Sequence, residues 1–113
     1  MLMLDPGAAA RGAVTSSPTK PATAIILDSP DARLLVFRIE PGQSVAPHHS
    51  VSTVILTVLE GEGIVLGKEG ERTCRPGDTI VYEPGETHGM RAVDRTFELL
   101  ATIAPRPGER RGA

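Results

Sequence analysis

The amino-acid sequence predicts an all-β fold, and three observations lead there. Turn-forming pairs punctuate the chain at Pro41-Gly42, Gly61-Glu62-Gly63, Lys68-Glu69-Gly70, Pro76-Gly77 and Pro84-Gly85. After Gly61 they recur roughly every eight residues, the rhythm of short antiparallel strands in a sandwich or barrel. The segments between them are apolar and β-branched, a composition that suits strands. No segment carries a helical apolar stripe of about ten residues or more. A double-sheet jelly roll is the natural architecture for such a chain.

Taken in order, residues 1–21 are rich in Ala, Gly, Ser, Thr and Pro and lack periodicity, so they read as a flexible arm with a brief helical stretch at 8–10. Strands are expected at 24–27, 34–39, 53–59, 64–66, 72–74, 79–82 and 97–103. The strands at 64–66 and 72–74 form a hairpin around residues 67–71. Residues 105–113 read as a tail. The folded domain therefore spans 22–104. The strand at 53–59 is apolar on nearly both faces, whereas a half-exposed strand alternates. Its second face lies either under another sheet of the domain or in a subunit contact. Residues 22–39 are similarly apolar and could add strands across that contact.

At 113 residues the chain is one domain with room for a real core. Its aromatic residues are Phe37, Tyr82 and Phe97, so Val, Ile and Leu must build that core. So few rings do not make a stacking platform for single-stranded nucleic acid. The net charge is −2, unevenly spread: residues 22–104 hold seven basic and twelve acidic side chains. An acidic body disfavours a phosphate backbone, so no nucleic-acid partner is expected. The basic C-terminal end, with Arg106, Arg110 and Arg111, reads as a soluble tail. Cys74 is the single cysteine, which excludes an internal disulfide and fits a reduced, cytoplasmic setting. It reads as a small buried apolar residue. No run approaches membrane-spanning length, and the N-terminus has no charged leader region, so no membrane association and no signal peptide are expected.

Two groups of residues carry the chemistry. The first is Gly42-Gln-Ser-Val-Ala-Pro-His48-His49-Ser50, followed by Val54 and Gly61. The second is Gly77-Asp-Thr-Ile-Val-Tyr-Glu-Pro84-Gly85-Glu-Thr-His88. Together they resemble the two sequence motifs of the cupin superfamily. The usual first motif reads G-x5-H-x-H-x3-E-x6-G; Gly42, His48 and Gly61 match it, but Ser50 and Val54 stand where the second histidine and the glutamate belong. The usual second motif reads G-x5-P-x-G-x2-H-x3-N; Gly77, Gly85 and His88 match, the proline is displaced to Pro84, and Ala92 replaces the asparagine. The resemblance covers residues 34–104 and implies a small single-domain cupin, a double-stranded β-helix or jelly-roll barrel with a degenerate first metal motif. It also implies a dimer through an apolar outer sheet.

On a strand, His48 and Ser50 point one way and His49 the other. The resemblance places His48 inside the barrel, with Ser50 and Val54 on the same face and His88 opposite across the mouth. His49 faces away unless the chain bulges at Pro47. His48 and His88 are thus the candidate metal ligands, and recruiting His49 would make a three-histidine set. Glu83 or Glu86 could supply a carboxylate after a local rearrangement. The candidate ligand pocket comprises Ser50, Val54, Leu56, Tyr82 and Met90. The candidate cofactor is a divalent transition metal (iron, manganese, zinc, nickel or copper) or none, and both stay open.

Three functions follow. The first is binding of a small molecule in the barrel, with metal weak or absent. The second is a metal-dependent dioxygenase or isomerase using the histidines. The third is a homodimeric structural barrel without a site. The fold by itself does not choose between them.

Overall fold

The computed structural model describes residues 1–108. Among these residues, nine strands form two antiparallel sheets. They are β1 (Ala22–Asp28), β2 (Arg33–Ile39), β3 (Ser44–His48), β4 (Thr53–Glu60), β5 (Gly63–Gly67), β6 (Gly70–Cys74), β7 (Thr79–Tyr82), β8 (His88–Ala92) and β9 (Phe97–Ala104). One sheet has the order β1-β2-β9-β4-β7 and the other β3-β8-β5-β6. This is the all-β, two-sheet architecture expected from the turn rhythm, and the double-stranded β-helix barrel that the family resemblance implies.

Strands β3 and β8 are not among the seven expected from the sequence. Pro47 removes a ladder donor from β3, and β8, His-Gly-Met-Arg-Ala, holds no β-branched residue. Each is held by its partner instead: β3 pairs with β8, and β8 also pairs with β5.

Strand alternation builds the core. On β4, Val54, Leu56 and Val58 point inward, while Ile55, Thr57 and Leu59 are half-buried on the other face. On β9, Phe97, Leu99 and Ala101 point inward and meet Ile39, Val65, Tyr82, Met90 and Ala92 in one cluster. Tight turns join the strands; the Pro76-Gly77 turn is braced by Asp78, whose Oδ2 accepts the Arg75 N–H at 2.9 Å.

Within the N-terminal arm, Pro6–Gly12 form helix α1. Asp5 caps it by accepting the Ala8 N–H at 3.0 Å, and Pro6 begins it, a position where the missing donor costs nothing. The helix lies against β1, β2 and β9, and Ala10 is fully buried there. Its last turn is tied down by Arg38, whose Nη1 donates to the Arg11 carbonyl at 3.1 Å. At the other end of the chain, the Pro105 carbonyl accepts the Ser52 hydroxyl at 2.7 Å, and Arg106 N–H donates to Pro30 O at 3.3 Å. Residues 109–113 of the expected tail, with Arg110 and Arg111, lie outside the described residues. Among the described residues, no helix is long and apolar enough to cross a membrane.

Near α1, the β9 side chain Glu98 is buried, and its Oε2 has no hydrogen-bond partner. Its nearest cation is Arg38, at 3.6 Å. Burial raises its pKa above 4.5; Arg38 and Arg11 pull it down, and Glu60 and Glu40 push it further up. A carboxyl with a raised folded-state pKa favours the fold when protonated. Its contribution is full below the unfolded value and is lost as pH rises through the folded value. Glu98→Gln should therefore raise the urea midpoint at pH 7 and leave it nearly unchanged at pH 4. An equal shift at both pH values would show that the carboxylate is not the cause.

Candidate binding site

The two histidine-bearing segments meet where β3 pairs with β8. His48 and His88 are direct cross-strand partners, and their ring centroids lie 4.3 Å apart. The register slips between Val45 and His48, so the strand bulges around Pro47 and turns His48 toward His88. Just beyond, the Gly85 N–H donates to the Ser50 carbonyl at 2.7 Å. That bond ties the loop after β3 to the turn before β8 and fixes the two segments together.

Both rings are oriented by the backbone. His48 Nδ1 stands 2.9 Å from the Ala46 carbonyl, and His88 Nδ1 stands 3.0 Å from the Glu86 carbonyl. A carbonyl oxygen can only accept, so each Nδ1 carries a proton and donates it. His48 is exposed, while His88 is 3% exposed. Burial lowers the His88 pKa below 6.5; the Glu86 carbonyl opposes this, and His48 reinforces it. His88 is therefore a neutral imidazole at neutral pH, an acceptor through Nε2.

Tyr82 supports His88 from below. The two rings stack at 4.6 Å with 23° between their planes, and the Tyr82 hydroxyl donates to the Leu66 carbonyl at 2.8 Å. Burial pushes that phenol up to about 12, with the charges of Glu86 and Cys74 adding to it, so it stays protonated. Glu86 braces the turn: its Oε2 accepts the Lys68 N–H and its Oε1 the Glu83 N–H, both at 3.1 Å. Those bonds hold its carboxyl below the usual range and occupy both oxygens.

The other candidates are spread around this pair. Ser50 lies just past β3, half-buried, and its Oγ accepts the Ser52 N–H at 3.1 Å. Val54, Leu56 and Met90 belong to the buried core cluster, as does Tyr82. His49 is exposed. Glu83 is exposed and pairs with Lys68 at 3.5 Å. Cys74 is buried, and burial raises its thiol to about 11, so it is no nucleophile. The anchoring carbonyls of Ala46 and Glu86 and the His88–Tyr82 stack are not legible in the sequence. They join residues through backbone geometry that no residue type announces.

The donor set decides how a metal would fit. Among the described residues, no three His, Cys, Asp or Glu side chains are gathered closely enough to hold an ion. His48 and His88 offer two imidazole nitrogens, and Ser50 offers a hydroxyl. Three or four protein ligands are usual for a resident transition metal. The site falls short of that set.

Known proteins share both this barrel and its sequence pattern. The cupin domain signature matches residues 35–103. The chain belongs to the cupin family. No curated protein matches this cupin in sequence. Among solved structures, TT1209 from Thermus thermophilus is 28% identical, with a TM-score of 0.82 over 95% of this chain and 100% of that one. An uncharacterised conserved protein with a double-stranded β-helix domain from Klebsiella pneumoniae is 25% identical, with a TM-score of 0.76 over 86% and 87% of the two chains. An RmlC-like cupin from Desulfovibrio desulfuricans is 27% identical, with a TM-score of 0.72 over 83% and 91%. These similarities place the cupin among small single-domain barrels and assign it no activity.

Proposed function

We propose that this cupin binds a small molecule at the His48–His88 pair and needs no resident metal to do so. One observation carries the reading: both imidazoles donate through Nδ1 to backbone carbonyls and their rings stand 4.3 Å apart, which leaves two Nε2 atoms without a protein partner among the described residues. The neutral His88 imidazole suits a ligand that donates a hydrogen bond, such as a hydroxyl-bearing compound. Ser50 adds a hydroxyl at the rim. Tyr82 stacks on His88 and packs in one buried cluster with Val54, Leu56 and Met90, an apolar support for the pair. The half-buried Ile55 and Leu100 and the 60%-exposed Val81 support a homodimer through the outer face of the five-stranded sheet. The lone buried cysteine supports a cytoplasmic setting.

The test is a thermal-shift screen of hydroxyl-bearing small compounds on chelator-treated protein, repeated with His48→Ala. His48 is exposed, so the variant should fold normally. Compounds that stabilise the chelated protein and lose their effect in His48→Ala are the expected result. Stabilisation that survives in His48→Ala removes the pair from the site.

A second reading, a metal-dependent enzyme, is favoured by the bulge in β3 before His48, directly after which His49 begins the loop. Turned inward, His49 would bring the donors to three. Near one transition metal per chain in untagged protein, lost in both His48→Ala and His88→Ala, would support it. No metal after loading with iron, manganese, zinc, nickel or copper would end it.

A further inference from the structure

A concavity lies next to the histidine pair and shares Tyr82 with its surroundings. Strand β6 ends one sheet and strand β7 ends the other, and they do not pair with each other. Between their free edges opens a cleft of about 450 Å³, which Tyr82 lines but His48 and His88 do not. A space of that size accommodates a small organic ligand.

The strand registers show what faces into it. On the β5–β6 hairpin, Val65 pairs with Arg72 and Gly63 with Cys74. Cross-strand partners share a face, and Val65 and Cys74 are core residues, so Arg72 lies on the inward face as well. On β7, Ile80 and Tyr82 sit opposite Leu56 and Val54, again on the inward face. The cleft therefore has an apolar floor of Val65, Ile80 and Tyr82, overhung by one guanidinium.

Acidic side chains also line the cleft, but three of them are engaged. Glu86 accepts two backbone N–H groups, Glu83 pairs with Lys68, and Asp78 accepts the Arg75 N–H. Glu69 stands on the hairpin turn between β5 and β6. The Arg72 side chain makes no hydrogen bond or ion pair among the described residues. An unengaged guanidinium facing an apolar floor is suited to a planar anion carried on an apolar body.

We propose that the β6–β7 cleft binds a small organic anion, its carboxylate or phosphate on Arg72 and its apolar body against Val65, Ile80 and Tyr82. The site borders the histidine pair through Tyr82, which stacks on His88, but neither histidine lines it.

The experiment titrates the full chain with naphthoate and naphthyl phosphate and follows the backbone amide NMR spectrum. Naphthylmethylammonium, of the same shape and opposite charge, serves as the control. The expected result is saturable shifts centred on Val65, Arg72, Cys74, Ile80 and Tyr82 for at least one anion, with clearly weaker binding of the ammonium. Arg72 is exposed, so Arg72→Gln should keep the folded spectrum and weaken the anion about tenfold, the loss of one charge-assisted contact. Arg72→Lys should retain part of the affinity, and His48→Ala all of it. Absence of shifts for both anions, shifts centred elsewhere, or equal binding of the ammonium would overturn the proposal. So would an Arg72→Gln variant that binds as tightly as the parent.

Discussion

Gly61→Ala is expected to destabilise the domain strongly. Gly61 follows β4 with φ at 75°, in the left-handed region that penalises side chains by roughly 1–2 kcal/mol. A Cβ there would also stand 2.0 Å from the Thr96 carbonyl oxygen and 3.3 Å from the Phe97 Cα. Those are backbone atoms of the opposing segment and cannot swing aside. Forced overpacking adds about 1–3 kcal/mol, so the total is about 2–5 kcal/mol. A domain of ordinary stability, about 5–15 kcal/mol, loses a large share of it. Gly42→Ala is the control: φ is 90° there, but a Cβ would meet nothing within 4 Å. Urea unfolding should show a much larger loss for Gly61→Ala than for Gly42→Ala. Equal losses would mean that backbone angle alone matters and that the Thr96 contact is relaxed at no cost.

Phe97→Ala should destabilise by about 3–5 kcal/mol, the usual range for emptying a buried aromatic site. Phe97 is fully buried at the start of β9, and its ring occupies the space beside Gly63. A Cβ on Gly63 would lie 2.2 Å from the Phe97 Cδ2, so glycine at 63 and phenylalanine at 97 are one packing unit. Because Gly63 has no side chain, it cannot itself relax into the vacated volume. The pair gives a sharper test than either change alone. Gly63→Ala should destabilise the parent, where the ring blocks it, and be neutral or favourable in the Phe97→Ala background, where it fills part of the cavity. Changes at contacting residues are not additive, and here the sign should reverse. Simple additivity in the double-mutant cycle would refute the interlock.

The roles of these two glycines differ in how far the sequence reveals them. Gly61 reads as a turn glycine from its neighbours Glu60 and Glu62. That Gly63 must be bare to admit a ring from residue 97 is a matter of three-dimensional approach. The same division runs through the binding site. The spacing of His48 and His88 located the candidate site through its resemblance to cupin motifs, and the structure made them cross-strand partners. Spacing could not show that Glu86, two residues before His88, would orient that ring through its carbonyl while closing the turn with its carboxylate.

What the sequence determined by itself is the all-β class, the hairpin at β5–β6, the limits of seven strands to within a few residues, and, through the family resemblance, the meeting of the two histidine segments. The class, the hairpin and the strand limits depend on local preferences: turn residues that set backbone angles, and side chains that alternate with a period of two. What only the tertiary structure decided is whatever depends on distant segments coming together. Strands β3 and β8 exist because each is held by a neighbour, not because their residues favour extension. Glu98 is buried near a helix that lies at the opposite end of the chain. Arg72 overhangs a cleft because two sheet edges, set by strand order, face each other without pairing. Such neighbours are fixed by packing across the sandwich, and no local rule of residue type or spacing contains them.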